Sequence, residues 1–408
     1  MLTKQQLAHY AELCIKIGVN LQKGQSLCIN SPVECADIAR YIAEAAYKHG
    51  AKKVLVDYRD EKLSRIKYDH ETIETLKEVP QWFIDKKNDI VKEKMCVISI
   101  AAGDPSIFAG VDPEKLKASS IATRTALKEY QAASMSNVIR WLVVSVPTEA
   151  WAKQVFPGAE NPVDKLWDAI ALTMRLNEKD PTAAWEKHIA TLNRRAMFLN
   201  GHDFDYLHLT SKNGTDLKVG LALGHTWCAA QEMAQDDIAF TANMPTEEIF
   251  TAPHKYNVNG VVKNALPLVN QGNIIDDFSI TFKDGRVVDY SAKKGYDALK
   301  NIIETDEGSR SIGEVALIGK GSPIHKLGLL FFNTLFDENA SCHLALGKAY
   351  PTTVKNGSKM TLEELDKIGV NDSMEHCDFM VGTEDMDIVG VTKKGEKVQL
   401  FKDGEWVV

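Results

Sequence analysis

The chain has 408 residues, of which 44% are hydrophobic, 25% charged and 8% aromatic. That length exceeds one ordinary hydrophobic core and predicts more than one domain, and the composition excludes a disordered or low-complexity protein. With 48 Lys plus Arg against 56 Asp plus Glu, the net charge of −8 gives no basis for binding nucleic acid or an anionic membrane.

In chain order, the first residues, MLTKQQLAHYAELCIKIGVNL, alternate polar and apolar at helical spacing. They lack the unbroken apolar core of a signal peptide, and no later run is long enough to span a bilayer. Ala36 to His49 reads as an amphipathic helix with Ile38, Ile42 and Ala45 on one face, closed by Gly50. Val54 to Val56, Cys96 to Ile100 and Trp141 to Val146 read as strands separated by helical stretches, the rhythm of a parallel α/β layer. Neither G-x-G-x-x-G nor G-x-x-x-x-G-K-[ST] occurs in this half, so a nucleotide cofactor has no support.

From about Asp205 the rhythm changes to short strands and tight turns. Phe278 to Phe282 and Val287 to Tyr290 flank Asp284-Gly285, and Val398 to Phe401 and Trp406 to Val408 flank Asp403-Gly404. Asp-Gly suits the primed turns of β-hairpins. Tyr296 to Glu304 and Leu362 to Lys367 are the better helical candidates here. The expected architecture is an α/β N-terminal domain over residues 1–200 plus a strand-rich α+β C-terminal domain over 201–408, the boundary lying in or after the charged helical stretch 164–198. The cysteines at 14, 28, 35, 96, 228, 342 and 377 are odd in number and form no C-x-x-C pair. That argues against a disulfide framework or a structural zinc ribbon and points to a reducing cytoplasm.

Chemistry concentrates in four segments of the second half. In His376-Cys-Asp378, followed by Phe-Met-Val-Gly, a strand would project His376 and Asp378 together and turn Cys377 away. An imidazole nitrogen beside a carboxylate suits a divalent transition metal. His343 lies in FDENASCHLALG, with Tyr350 beyond it. Glu314 stands in the otherwise apolar run GEVALIG, where a buried carboxylate needs a cation. The last segment, NMPTEEIFTAPH, carries Glu247 and Glu248; if it is extended only one of them can face a site, and if it opens a helix Thr246 caps it. Each segment alone also has an ordinary structural reading: a polar strand edge at 376–378, a helix cap at Asp337 or Asn339 beside a core histidine, an exposed strand end at Glu314.

Taken in order, N-M-P-T-E-E-I-F-T-A-P, G-E-V-A-L-I-G, F-D-E-N-A-S-C-H-L-A-L-G-x-A-Y-P and H-C-D-F-M-V-G resemble the motif series of the thermophilic aminopeptidase family, the aminopeptidase S and aminopeptidase T group. The resemblance covers the C-terminal half strongly and the N-terminal half only as a general α/β pattern. It implies metal ligands at Glu248, Glu314, His343, His376 and Asp378, with Glu338 as a sixth and Tyr350 as an active-site hydroxyl, all in the C-terminal domain. It also implies two divalent cations per chain (zinc, cobalt or manganese), peptide substrates with a free N-terminus, and a homodimer. Carboxylates gathered this closely make physical sense around cations, since two unit charges about 4 Å apart cost roughly 4 kcal/mol at an effective dielectric near 20. Glu247 or Glu338 would then carry the proton and Tyr350 would meet the developing oxyanion. The competing expectations are another dinuclear metallohydrolase, a non-catalytic two-domain solute-binding protein and a purely structural protein.

Overall fold

The computed structural model describes residues 2–270 and 272–408. Its strands, in chain order, are β1 (Ser26–Pro32), β2 (Lys53–Arg59), β3 (Cys96–Ile100), β4 (Trp141–Val144), β5 (Phe204–Thr210), β6 (Asp216–Leu221), β7 (Glu232–Met233), β8 (Ala239–Phe240), β9 (Ile249–Thr251) and β10 (Pro253–Lys263). They continue as β11 (Leu268–Asn270), β12 (Asn273–Lys283), β13 (Arg286–Lys294), β14 (Ile312–Leu317), β15 (His343–Gly347), β16 (His376–Met380), β17 (Asp387–Thr392), β18 (Lys397–Lys402) and β19 (Glu405–Trp406). The chain divides into two compact units, Met1–Lys187 with Gln231–Pro245, and His188–Ala230 with Thr246–Val408. The segment Gln231–Pro245 therefore groups with the first unit although it lies in the second half of the sequence. No helix of the described residues is long and apolar enough to cross a membrane.

The first unit is the α/β layer that the sequence rhythm predicts. Its sheet runs β2-β1-β3-β4 with every pair parallel. One face packs Cys28, Val97, Ile90, Met95 and Ile139 with the half-buried Leu55, Tyr130 and Trp141. The helix Ala36–Lys48 buries Ile38, Ala39, Ile42 and Ala46. Ala46, rather than Ala45, thus completes the apolar stripe. Gly50 has φ +96, the left-handed conformation that ends a helix without a Cβ penalty.

The second unit is strand-rich. A sheet of nine strands runs β11-β12-β10-β6-β5-β17-β18-β19, with β13 paired to β12. The two expected hairpins are present: Asp284 and Gly285 (φ 50 and 80) join β12 to β13, and Asp403 and Gly404 (φ 48 and 73) join β18 to β19. Two successive positive φ values define the type I′ turn that Asp-Gly favours. The helices Tyr296–Ile303 and Leu362–Lys367 lie where the sequence places them. A separate four-stranded sheet, ordered β16-β15-β14-β9 and antiparallel throughout, contains Glu314, His343, His376 and Asp378.

Candidate metal centre

Strand alternation assembles the site on one face of the β16-β15-β14-β9 sheet. Met380, His343, Ala316 and Phe250 lie in register across its four strands, and Asp378, Ala345 and Glu314 form the next row. Glu248, two residues before Phe250, projects to the same side. Acids and imidazoles thus surround two alanines, Ala316 and Ala345, whose methyl groups are the shortest side chains of this face. The β14–β15 register shifts between Ile312 and Glu314, at Gly313. A Cβ at Gly313 would stand 2.3 Å from the Gly347 carbonyl oxygen, so glycine is required where the two strands close together. Glu314 follows in mid-strand and is 5% exposed, which removes the alternative of an exposed strand end.

The polar atoms converge. His343 Nε2 is 3.3 Å from Glu248 Oε2 and 3.4 Å from Glu314 Oε1. His376 Nε2 is 3.4 Å from Asp378 Oδ1. Glu248, Glu314 and His343 offer ligand atoms that all lie within 4.8 Å of one another, and so do Glu314, His376 and Asp378. Glu314 belongs to both groups. Each imidazole is oriented from behind: His376 Nδ1 donates to the Lys348 carbonyl at 2.7 Å and His343 Nδ1 to the Ser341 carbonyl at 3.3 Å. Both rings therefore present Nε2 to the carboxylates, the orientation that a hydrogen bond at the other ring nitrogen imposes on metal-binding histidines.

The electrostatics describe a site short of positive charge. Burial works against ionisation of Glu314, and the nearby Asp378 and Glu248 add to it, so its carboxyl is raised above the ordinary range. Glu338 is raised well above that range by burial and by the charges of Asp378, Glu248 and Glu314. For His343, burial opposes charge, but the bonds to Glu248 and Glu314 outweigh it and hold the imidazole well above its usual value. His376 is held at about 10, the pull of Asp378 exceeding the effect of burial. Asp378 itself lies below its ordinary value because His376 and His343 overcome burial. Its Oδ1 is buried and accepts no well-aligned hydrogen bond. A divalent cation between these atoms fits the donor set: it would complete Asp378 Oδ1, take the place of protons on the imidazoles and offset the crowded carboxylates.

The remaining expected residues divide. Glu338 sits in a short 3-10 turn, Glu338–Ala340, among the same carboxylates but outside both three-residue groups. The Tyr350 ring lies 4.9 Å from the ring of His376, and Tyr350 is 39% exposed. Desolvation and the surrounding carboxylates hold its phenol well above 10, so it remains a donor. Residues 249–251 are extended, so Glu247 and Glu248 point opposite ways. Glu247 turns to His188, whose Nε2 is 3.6 Å from its Oε2, and it belongs to neither group. Cys342 turns its thiol to Ile318, donating to the carbonyl at 3.3 Å, and Cys377 faces Asn270. Neither thiol is in a ligand group.

Two residues near the site escape sequence reasoning as functional candidates. Asn339 is fully buried; its Oδ1 accepts from the Glu247 backbone N–H at 2.8 Å and its Nδ2 donates to Leu335 at 3.1 Å, tying the Glu338 turn to the Glu248 segment. It caps no helix. The cap in this region is Asn333, which accepts from the Leu335 N–H, while Asp337 accepts from Phe331 and Asn333. Phe250, half-buried beside the ligands, carries no polar signal at all.

The chain as a whole is similar to known proteins. The profile of the family described as thermophilic metalloprotease (M29) matches residues 3–406, which extends the likeness from the motif-bearing half to nearly the whole chain. The chain is 44% identical to aminopeptidase 2 of Geobacillus stearothermophilus, over 99% of this chain and 98% of that protein. It is 41% identical to aminopeptidase AmpS of Bacillus subtilis (strain 168), covering 98% of each. The solved structure of wild-type AmpT from Thermus thermophilus matches with a TM-score of 0.93 at 38% identity, covering 99% of this chain and 100% of that one.

Proposed function

The chain belongs to the thermophilic metalloprotease family (M29), and from that premise we propose that its acid–imidazole face would hold two divalent cations, Glu314 being common to both groups of candidate ligands. It is a metal-dependent aminopeptidase, a hydrolase acting on peptide substrates. The observation that carries the dinuclear reading is the membership of Glu314 in both ligand groups. Glu248 and His343 would complete one position, His376 and Asp378 the other. Carboxylate and imidazole donors suit zinc, cobalt or manganese. When bound, such cations polarise the scissile carbonyl and acidify water.

The chain's own residues supply the rest. Glu338, close to the ligands but outside both groups, would take a proton from water and return it to the leaving amine once bound cations offset the neighbouring carboxylates that hold it protonated. Glu247 is the weaker candidate for that work because its carboxylate turns to His188. The Tyr350 hydroxyl, kept protonated, donates a hydrogen bond to the developing oxyanion. His343 and His376 hold Nε2 forward through their carbonyl bonds, which keeps the donor set in place without rearrangement. A cytoplasmic location belongs to the same reading and is supported by the cysteines, all of which are thiols and six of them buried. A homodimer rests on the family resemblance alone.

Hydrolysis of Leu-, Arg- and Phe-p-nitroanilide, before and after chelation and with metal restored, tests the reading. The expected outcome is activity that disappears with chelator and returns with zinc, cobalt or manganese, at two ions per chain. Full activity in a metal-free preparation, or one tightly bound ion at full activity, would overturn the dinuclear site.

A further inference from the structure

We propose that Phe250, together with the exposed ring of Tyr350, forms an apolar wall that receives the side chain of the substrate's first residue and selects large apolar residues there. The inference rests on the aminopeptidase reading, because only a free N-terminal residue held at the ligands would bring its side chain to this wall.

The register places the wall. Phe250 pairs with Ala316, and Ala316 with His343, so all three project from one face of the sheet. Strands lie about 4.8 Å apart, which puts the Phe250 backbone roughly 10 Å from that of His343 with only a methyl group between. Glu248 is two residues back on the same face, about 7 Å along the strand. A ring at Phe250 therefore borders the ligand set without entering it. On its other side the strand pairs with Cys228, through bonds of 2.9 and 3.0 Å between the two backbones, so the position of Phe250 is fixed from both edges.

The aromatic geometry closes the wall. The rings of Phe250 and Tyr350 are 6.4 Å apart at 70°, an edge-to-face pair, and the Tyr350 ring reaches the His376 ring at 4.9 Å. Phe250, Tyr350 and His376 thus form a continuous arc of ring surface around the cluster. Ile249 and Thr251, its strand neighbours, are buried on the opposite face, whereas Phe250 is only half-buried and Tyr350 is 39% exposed. Apolar ring surface left open beside a dense polar cluster is the composition of a small-molecule pocket: a few placed polar groups and an aromatic lining. A side chain seated there gains by burial, roughly in proportion to its apolar area, so leucine and phenylalanine gain more than alanine. The sequence pattern does not expose this role, because a phenylalanine in a strand is ordinary until its register is known.

The test compares kcat/KM for Leu- and Ala-p-nitroanilide in metal-loaded protein, with metal content checked in every variant. Phe250→Ala should lower the Leu-over-Ala ratio about 10- to 100-fold, the usual reach of an apolar pocket. Phe250→Leu, which keeps an apolar wall, should retain most of the ratio. Phe250→Thr, a good strand former without the ring, carries the test if the alanine variant fails to fold, and should also lose the ratio. Wild-type ratios in folded, fully loaded Phe250→Ala or Phe250→Thr would overturn the wall while leaving the aminopeptidase reading intact. A metal-loaded wild type that cleaves none of these substrates would overturn both.

Discussion

Each unit contains a four-stranded sheet with polar side chains set into one face, and the two faces are neutralised differently. In the first unit, Asp57, Asn30 and Ser99 lie side by side across β2, β1 and β3, with Asn30 donating to Ser99 at 3.2 Å. Lys87, 8% exposed on the helix Gln81–Lys92, places Nζ 3.3 Å from Asn30 Oδ1 and 4.0 Å from Asp57, and rests its charge over the rings of Phe83 and Tyr130. The chain supplies its own cation there. In the second unit, the basic groups beside Glu248, Glu314, Asp378 and Glu338 are, among the described residues, the imidazoles of His343 and His376. Imidazoles are weak bases, and holding them protonated requires the very carboxylate crowding that raises Glu314 and Glu338. A face completed by lysine is finished when it folds. A face of carboxylates and imidazoles would be finished by a divalent ion.

The largest effect that sharpens this contrast is at Glu314. Glu314→Gln should reduce kcat/KM by more than about 100-fold, the usual upper cost of losing a mere outer-shell partner of a metal, and should lower the number of ions bound. In chelator the sign reverses: the variant should melt no lower than wild type, because a buried carboxylate whose ionisation is opposed has been removed. Retained ion content with full activity would break the comparison, as it would show that the cluster does not depend on a shared carboxylate.

Several parts of this contrast can be read from the sequence, and the reasons are local. Alternation along a strand puts His376 with Asp378 and turns Cys377 away, and the strand burial follows that pattern. Asp-Gly pairs mark both hairpins because the required positive φ values belong to the turn alone. What sequence pattern does not give is register between strands. Taken alone, Glu314 reads better as an exposed strand end, whereas its pairing with Ala345 sets it in the middle of the sheet, where it is buried. Sequence pattern alone allows the Glu247–Glu248 segment to be extended or to open a helix; the pairing of β9 with β14 makes 249–251 extended, and Glu247 turns to His188 while Glu248 meets His343. Asn339 acts on a backbone N–H 92 residues away, a distance at which no spacing rule operates. The motif series compensates for this, since four ordered segments fix in combination what none fixes alone.

The next effect probes the first sheet. Lys87→Met keeps the stem that packs against the rings but deletes the charge, leaving Asn30 Oδ1 and Asp57 short of a partner. Leaving a buried polar group unpaired costs about 1–3 kcal/mol. Asp57 keeps Lys86 at 2.7 Å, which favours the lower half of that range. Thermal melts should show this loss equally with and without chelator, and metal content and kcat/KM should stay at wild-type values. A loss that appeared only in metal-loaded protein would tie Lys87 to the second unit's chemistry and break the comparison from the other side.

An effect of similar size lies within the second unit, where Asp306 shows that a carboxylate there need not wait for a cation. Its oxygens accept from the Ser309 N–H at 2.8 Å, the Met374 N–H at 2.6 Å and the Ser373 hydroxyl at 2.7 Å. Burial alone would raise its pKa, but these donors outweigh it and hold the carboxyl below 3.8. A carboxyl depressed in the folded state adds stability that is present above its unfolded value and lost as pH falls through the lower folded value. Asp306→Asn keeps one acceptor and turns an amide donor toward a backbone N–H, so it should cost about 1.5 kcal/mol near neutral pH, the low end for bonds to a charged group. The gap between wild type and variant should persist down to about pH 4 and shrink below it, as the wild-type carboxyl takes up its proton. Chelation should leave that gap unchanged, because N–H and hydroxyl donors rather than ions hold this acid. A gap that widened on metal removal would place Asp306 with the ligand cluster, and the line between acids held by donors and acids held by cations would have to be redrawn through residue 306.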